Sequence, residues 1–462
     1  MEAIEYDLVV IGSGPAGQKA AICAAKLHKK VAIVDGKMAI GGVCVHTGTI
    51  PSKTLREAVL YLSGFRERTF YGRGYVVKDR IAMSDLIFRA QSVMTSEVEV
   101  IRAQLRRNRI TSMEGKARFI DPNTIEVQGD DGTHLLKAAH ALIACGTRPA
   151  HDAEIPIDGK RIFDSDQVHT LDDIPRELII VGAGVIGLEY AAMFATLGVK
   201  VTILDLRPTL LDFVDREVIE SLCFQLRQMG AVLRLGEKVV SVRVDTERDR
   251  VEAKLESGKV VHGQNLLYSV GRQANSDHLN IAAAGLEADG RGKMIVNEYF
   301  QTSVPHIYAA GDVIGFPALA STSMEQGRLA SCHMFGHPST MLPHLIPYGI
   351  YTIPEISMVG PTEEQLTRDK VPYEVGIAHY AELAKGQMLG DDRGFLKLLF
   401  DPTTLKLIAV HGIGERAAEI IHIGQAVLTL GGGVDYFRDA VFNYPTLAEA
   451  YKVAALDGLN KL

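Results

Sequence analysis

Three observations predict an α/β fold for most of the chain. An apolar run closing on GxGxxG occurs twice, as YDLVVIGSGPAG over residues 6–17 and LIIVGAGVIG over residues 178–187. Each copy continues into a helix-forming stretch rich in alanine. A second apolar run then ends in an acid, VAIVD at 31–35 and VTILD at 201–205. The acid follows the first glycine at one spacing in both copies, 35 − 12 = 23 and 205 − 182 = 23, against the roughly 20 expected of a dinucleotide-binding βαβ unit. The third observation is a change of pattern after Pro347, where short strands and two helices read as a separate α+β domain. The fold class is therefore α/β, with two Rossmann-like dinucleotide-binding domains and a C-terminal α+β domain.

Each element follows from local chemistry. In the first unit Gly12 permits the tight turn, Gly14 lets backbone approach a pyrophosphate, and Gly17 lets the helix pack on the strand. The pyrophosphate then lies at a helix N-terminus, where free N–H groups favour an anion. Asp35 is placed to accept ribose hydroxyls. Ser84 to Asn108 reads as a helix whose Arg102, Arg106 and Arg107, with Arg109 just beyond, form a solvated face. Arg118 to Ala144 reads as a strand meander turning at Asp121–Pro122 and Asp130–Asp131–Gly132. Residues 147–160, with two prolines and several acids, read as a linker. Gly182, Gly184, Gly187 and Asp205 repeat the first set, and the second unit ends near Gly271. A mixed segment follows. Short strands near Ile353–Val359 and Leu396–Phe400, and helices near Ala417–Leu428 and Thr446–Leu459, complete the chain. The expected domains are 1–150, 151–271, 272–345 and 346–462.

The chain's 462 residues suit about three domains. With 49 basic and 56 acidic residues the net charge is −7, which makes nucleic acid and anionic membranes poor general partners. Five cysteines, an odd number with no CxxC, argue against a disulfide framework or a cysteine zinc site and suit a reducing compartment. The N-terminal MEAIEYD carries acids where an export signal needs bases. The apolar stretch Leu178–Leu204 contains Glu189 and three patterned glycines, so it reads as strand, helix, strand and not as a membrane span.

After Asp35 comes GGVCVHTGTIPSK, residues 41–53. Together with ALIACGTRP (141–149), LYSVGRQAN (267–275), TSVPHIYAAGD (302–312), TIPEISMVG (352–360) and FNYPTLAEA (442–450), it resembles the flavin-dependent pyridine nucleotide–disulfide oxidoreductases over essentially the whole chain. The resemblance implies that Gly12, Gly14, Gly17 and Asp35 hold the ADP half of FAD and that Asp312 binds its ribitol. Ala320 and the helix it opens would lie near the flavin pyrimidine. Gly42, Cys44, Gly115 and Thr147 complete the implied FAD set. Lys53 would lie beside the flavin, paired with Glu189, and these two are the implied catalytic residues. Gly182, Gly184, Gly187, Asp205, Arg207 and Gly271 would hold NAD(P). No metal is implied. The C-terminal domain would be the dimerisation domain of a homodimer, in which one subunit completes the other's active site.

Two departures from that family are informative. Its disulfide reductases place a second cysteine five residues after the first, and 44 + 5 is Thr49 here. Where the family carries His–Pro–Thr, this chain has Tyr444–Pro445–Thr446, with Glu449 retained. A phenol that titrates near 10 is a poor proton shuttle at neutral pH. A disulfide relay is therefore not expected, and electrons must leave for a second nicotinamide, a quinone or oxygen. The pairing of GGxCxxxGTIPSK with FNYPTxAEA looks like the transhydrogenase branch, which implies FAD as cofactor, NAD and NADP as substrates, ping-pong hydride exchange and a cytoplasmic enzyme. A flavin-dependent NAD(P)H:quinone reductase is one alternative. A non-catalytic flavoprotein subunit resembling dihydrolipoamide dehydrogenase is another. Asp205 favours a free ribose 2′-hydroxyl, and Arg207 can offset its repulsion of a 2′-phosphate. The arginine pair of NADP-specific relatives is replaced by Leu206 and Asp212. Cys44 is expected to pack, His46 to be a polar neighbour, and His422 to lie in the core or at an interface.

Overall fold

The computed structural model describes residues 3–36, 40–72, 74–339 and 345–462. Residues 340–344, at the end of the expected central segment, lie outside the described residues. The chain divides into two compact units. One comprises Met1–Leu55, Ile87–Ala150 and Gly271–Pro343; the other comprises Arg56–Leu86, His151–Val270 and His344–Leu462.

The first unit is built on a parallel sheet in the order Thr111–Glu114, Val31–Asp35, Ile4–Ile11, Gly132–Ile143, Ile307–Ala309. The inner strands are near-continuous apolar runs, as a sheet covered on both faces requires, and Leu8, Val9 and Val10 are fully buried. On one face the helices Pro15–Lys26 and Ala320–Met334 supply Ala20, Ala21, Ala24, Leu329 and Ala330 to a single core. The opposite face packs Val9, Ile11, Phe119 and Ile125. The first half of Gly132–Ile143 turns to pair antiparallel with Thr124–Gly129, which pairs with Lys116–Asp121.

The second unit contains a parallel sheet in the order Val232–Leu235, Lys200–Asp205, Glu177–Val181, Asn265–Tyr268, Ile162–Asp164. In both sheets the glycine-motif strand lies beside the acid strand, which lies beside a short edge strand. The duplication in sequence is thus a duplication of topology. A three-stranded antiparallel sheet, Val239–Asp245, Arg250–Leu255 and Val260–Gly263, adjoins it in the chain. The C-terminal part of this unit is an antiparallel sheet in the order Tyr348–Ile350, Glu355–Val359, Leu407–Gly414, Phe395–Phe400, Glu374–His379, with helices Ala417–Thr429, Val434–Asp439 and Glu449–Leu459.

Three expectations need correction. Thr147–Pro149, read as linker, is a strand paired with Arg272–Ala274, and three residues are too few to show a period of two. The last helix begins at Glu449, not Thr446, because the Thr446 hydroxyl bonds back to the Asn443 carbonyl at 2.7 Å and holds a turn there. Of the two places expected for His422, core or interface, the core is the one to strike, because the residue is exposed and bonds Gln425 at 2.8 Å. The basic cluster is solvated, with Arg102 paired to Glu99. Leu178–Leu204 forms strand, helix and strand. Among the described residues no helix is long and apolar enough to cross a membrane.

Candidate functional site

The two glycine units have the same local geometry. Gly12 and Gly182 have φ of +106° and +97°, a region that favours glycine. A Cβ on Gly17 would fall 1.9 Å from the Gly12 carbonyl oxygen, and one on Gly187 would fall 2.0 Å from that of Gly182. Only hydrogen fits at the third position of either motif. A Cβ on Gly14 or Gly184 would meet nothing within 4 Å. Each second glycine therefore opens onto free space directly before the helices Pro15–Lys26 and Val185–Thr196. Such a cradle, with unsatisfied N–H groups behind it, fits a pyrophosphate. Gly42 closes on the first cradle, since a Cβ there would lie 3.2 Å from Gly14 Cα.

The two acids differ. Asp35 accepts hydrogen bonds from Ser13 N and Ser13 Oγ, both at 2.6 Å, and from Gly36 N at 2.7 Å. The Gly115 N–H fixes the same corner by donating to the Asp35 carbonyl at 2.8 Å. Asp205 accepts from Ala183 N at 2.6 Å, the equivalent of the Ser13 bond. It also holds Arg207, whose N, Nε and Nη2 donate to it at 2.8, 3.0 and 3.0 Å. Burial opposes ionisation of Asp205, but the guanidinium and the two backbone N–H groups win and keep its carboxyl below the usual range. Leu206 is exposed, and Asp212 adds negative charge near Arg207.

Cys44 lies in the short helix Gly42–His46 and Lys53 in the helix Thr49–Ser63. Burial pushes the Cys44 thiol up, opposed by a hydrogen bond with the Thr49 side chain and by the Lys53 charge, while Asp312 adds to the rise. Cys44, Thr49, Lys53 and Asp312 therefore belong to one neighbourhood, and the position of a second thiol holds a hydroxyl bonded to the first. All five cysteines are free thiols. His46 bonds the Ile40 carbonyl at 2.9 Å, as a polar neighbour would. Burial raises the Asp312 carboxyl, against the Arg272 guanidinium and the hydroxyls of Thr147 and Ser323. Ala320 opens the 15-residue helix Ala320–Met334, which has no side-chain cap.

Arg272 was not singled out by sequence reasoning. Its Nε donates to Thr147 Oγ1 at 2.8 Å and its Nη2 to the Thr147 carbonyl at 2.9 Å. The signal was its place in LYSVGRQAN, directly after Gly271. Gly271 itself falls in the first unit, where its carbonyl accepts from Ala150 N at 3.1 Å. Glu189 is buried in the second unit, and its Oε1 accepts from Tyr351 N at 2.9 Å. Tyr444 is exposed.

One group of three acids among the described residues has the spacing of a cation site, namely Asp215, Glu217 and Glu363. A lysine occupies it. Lys397 Nζ lies 3.1 Å from Asp215 Oδ1 and 3.0 Å from Glu217 Oε2, and it also pairs with Glu363. Its side chain is 2% exposed. Burial opposes the ammonium charge, and the three carboxylates more than restore it.

The sequence pattern of the pyridine nucleotide-disulphide oxidoreductases matches residues 6–327, and that of their dimerisation domain matches residues 346–455. A soluble pyridine nucleotide transhydrogenase of Mycobacterium tuberculosis is 54% identical over 99% of this chain and 98% of its own. One from Colwellia psychrerythraea is 45% identical over 100% and 99%. Among solved structures, LpdA from M. tuberculosis superposes with a TM-score of 0.90 at 26% identity, covering 98% of this chain and 99% of that one. The HOCl-induced flavoprotein disulfide reductase RclA from Escherichia coli gives 0.88 at 26% identity over 98% and 99%.

Proposed function

The chain belongs to the pyridine nucleotide-disulphide oxidoreductase family, and from that premise we propose that it is a cytoplasmic, FAD-dependent transhydrogenase exchanging hydride between NADPH and NAD+ without a redox-active disulfide. The observation that carries this is the Thr49 side chain bonded to Cys44 where a second thiol would stand. When bound, FAD supplies two-electron redox chemistry between the two nicotinamides. The first unit holds it. Gly12, Gly14 and Gly17 shape the pyrophosphate cradle, closed by Gly42, and Asp35 accepts from the ribose. Asp312 binds the ribitol, with Thr147 and Arg272 setting its carboxyl. Gly115, Cys44 and the Ala320 helix line the remainder.

Lys53 puts a positive charge where negative charge develops during transfer, so it contributes more at the transition state than before it. In the second unit Gly182, Gly184 and Gly187 cradle NAD(P). Asp205 serves the free ribose of NAD, and Arg207 serves the 2′-phosphate of NADP. The match of residues 346–455 to the family's dimerisation domain supports a homodimer through residues 346–462, where Leu430, Tyr436, Val441 and Tyr444 are exposed. The test is anaerobic mixing of the purified holoenzyme with NADPH and a spectrally distinct NAD+ analogue, with no quinone present. Turnover is expected. No turnover, together with rapid NADPH oxidation once a quinone is added, would replace this function with quinone reduction.

A further inference from the structure

The family's redox dithiol is missing at Cys44, but two other thiols meet. Cys23 Sγ lies 3.7 Å from Cys332 Sγ across 309 residues of chain. They sit on the helices Pro15–Lys26 and Ala320–Met334. A Cβ on Gly327 would fall 2.0 Å from the Ala16 carbonyl oxygen, so these helices touch backbone to backbone there. Cys23 follows Ala16 by 23 − 16 = 7 residues and Cys332 follows Gly327 by 332 − 327 = 5. Both sulfurs therefore lie one to two turns along the same parallel seam. The contact is held by two rigid helices anchored at a glycine crossing.

The other three thiols lack such a partner. Cys145 is half-buried and its desolvation pushes it up to about 12, burial raises Cys223, and Cys44 is bonded to Thr49. At the pair, Cys23 is partly exposed and Cys332 is 1% exposed. Arg328 Nη1 stands 3.7 Å from Cys332 Sγ. That guanidinium favours a thiolate there, although burial and the neighbouring thiol push Cys332 up to about 11. Access therefore makes Cys23 the sulfur met first by an oxidant, and Cys332 the one that resolves it.

We infer that Cys23 and Cys332 form a second, non-catalytic dithiol that a peroxide converts to an intramolecular disulfide. The Cys23 thiolate attacks hydrogen peroxide; an S–O bond forms, the O–O bond breaks, and hydroxide leaves as water. The Cys332 thiolate then attacks the Cys23 sulfur; an S–S bond forms, the S–O bond breaks, and a second water leaves. Two thiols lose two electrons and two protons, and one peroxide becomes two waters. The sulfurs must close from 3.7 Å to about 2.05 Å, within reach of side-chain rotation on helices already in contact.

The test treats native holoprotein with a small excess of hydrogen peroxide, then alkylates it in denaturant and counts thiols. The count is expected to fall from five to three. A peptide map should show the Cys23 and Cys332 peptides joined, and dithiothreitol should separate them. On a non-reducing gel the looped chain should migrate faster as a monomer. Cys332→Ser should leave Cys23 as a dimedone-reactive sulfenic acid with no joined peptide. If that variant does not fold, the parental map decides alone. The proposal fails if Cys23 over-oxidises while Cys332 stays a thiol. It also fails if both stay thiols under treatment that oxidises Cys44, or if the joined peptides come from two chains.

Discussion

Arg207 grips both oxygens of Asp205, and that pair sets the residue-scale expectation for nucleotide choice. A 2′-phosphate offers Arg207 a second anion of matching geometry, while a free ribose needs the carboxylate itself. Arg207→Ala should weaken NADPH by about 1–2 kcal/mol, the scale of a hydrogen bond to a charged group. NADH should hold its affinity or gain, because the substitution uncovers Asp205. Steady-state KM values for the two cofactors measure this, and equal losses for both would mean that Arg207 is no more than a lid on Asp205. The sequence made the acids and glycines legible because their spacing is local. It could not show that Arg207 lies folded onto Asp205, since a solvated side chain and an ion pair have the same spelling. Arg272 and Thr147 are 125 positions apart, and no periodicity connects them.

The strand Phe395–Phe400, FLKLLF, shows the element scale. Its apolar residues mark a strand, and all six of its residues are buried. The sequence does not reveal that the lysine is inside as well, because its three carboxylate partners come from two distant segments, 215–217 and 363. Lys397→Met keeps the length and removes the charge, leaving buried Asp215 uncompensated beside two other acids. Breaking one side of a buried ion pair costs about 3–5 kcal/mol. Urea denaturation should show a loss of that size, and Asp215→Asn in the same background should recover part of it. A change below about 1 kcal/mol would mean that water reaches the cluster and screens it. The repeated strand–helix–strand units were legible for the opposite reason. Their glycines, apolar runs and acids lie within about thirty consecutive residues, inside the span of a βαβ unit.

For the whole molecule the decisive quantity is electron capacity. With Thr49 beside Cys44 where a second thiol would stand, anaerobic titration with NADH should end at two electrons per FAD, where a disulfide enzyme takes four. No long-wavelength thiolate charge-transfer band should appear. A four-electron endpoint, or such a band, would show that Cys44 has found a sulfur partner. Chain order alone does not reveal that residues 271–343 group with residues 1–55, because that depends on the short strand Ile307–Ala309 joining Gly132–Ile143. The second glycine unit carries a feature that bears on turnover, because Arg207 is tethered to Asp205 as a rival for whatever docks on that acid. A nucleotide whose free ribose settles on Asp205 must displace Arg207, which remains one rotation away and ready to return. In an exchange between two soluble nucleotides the second site has to empty every cycle, and that built-in rival turns departure into a property of the fold.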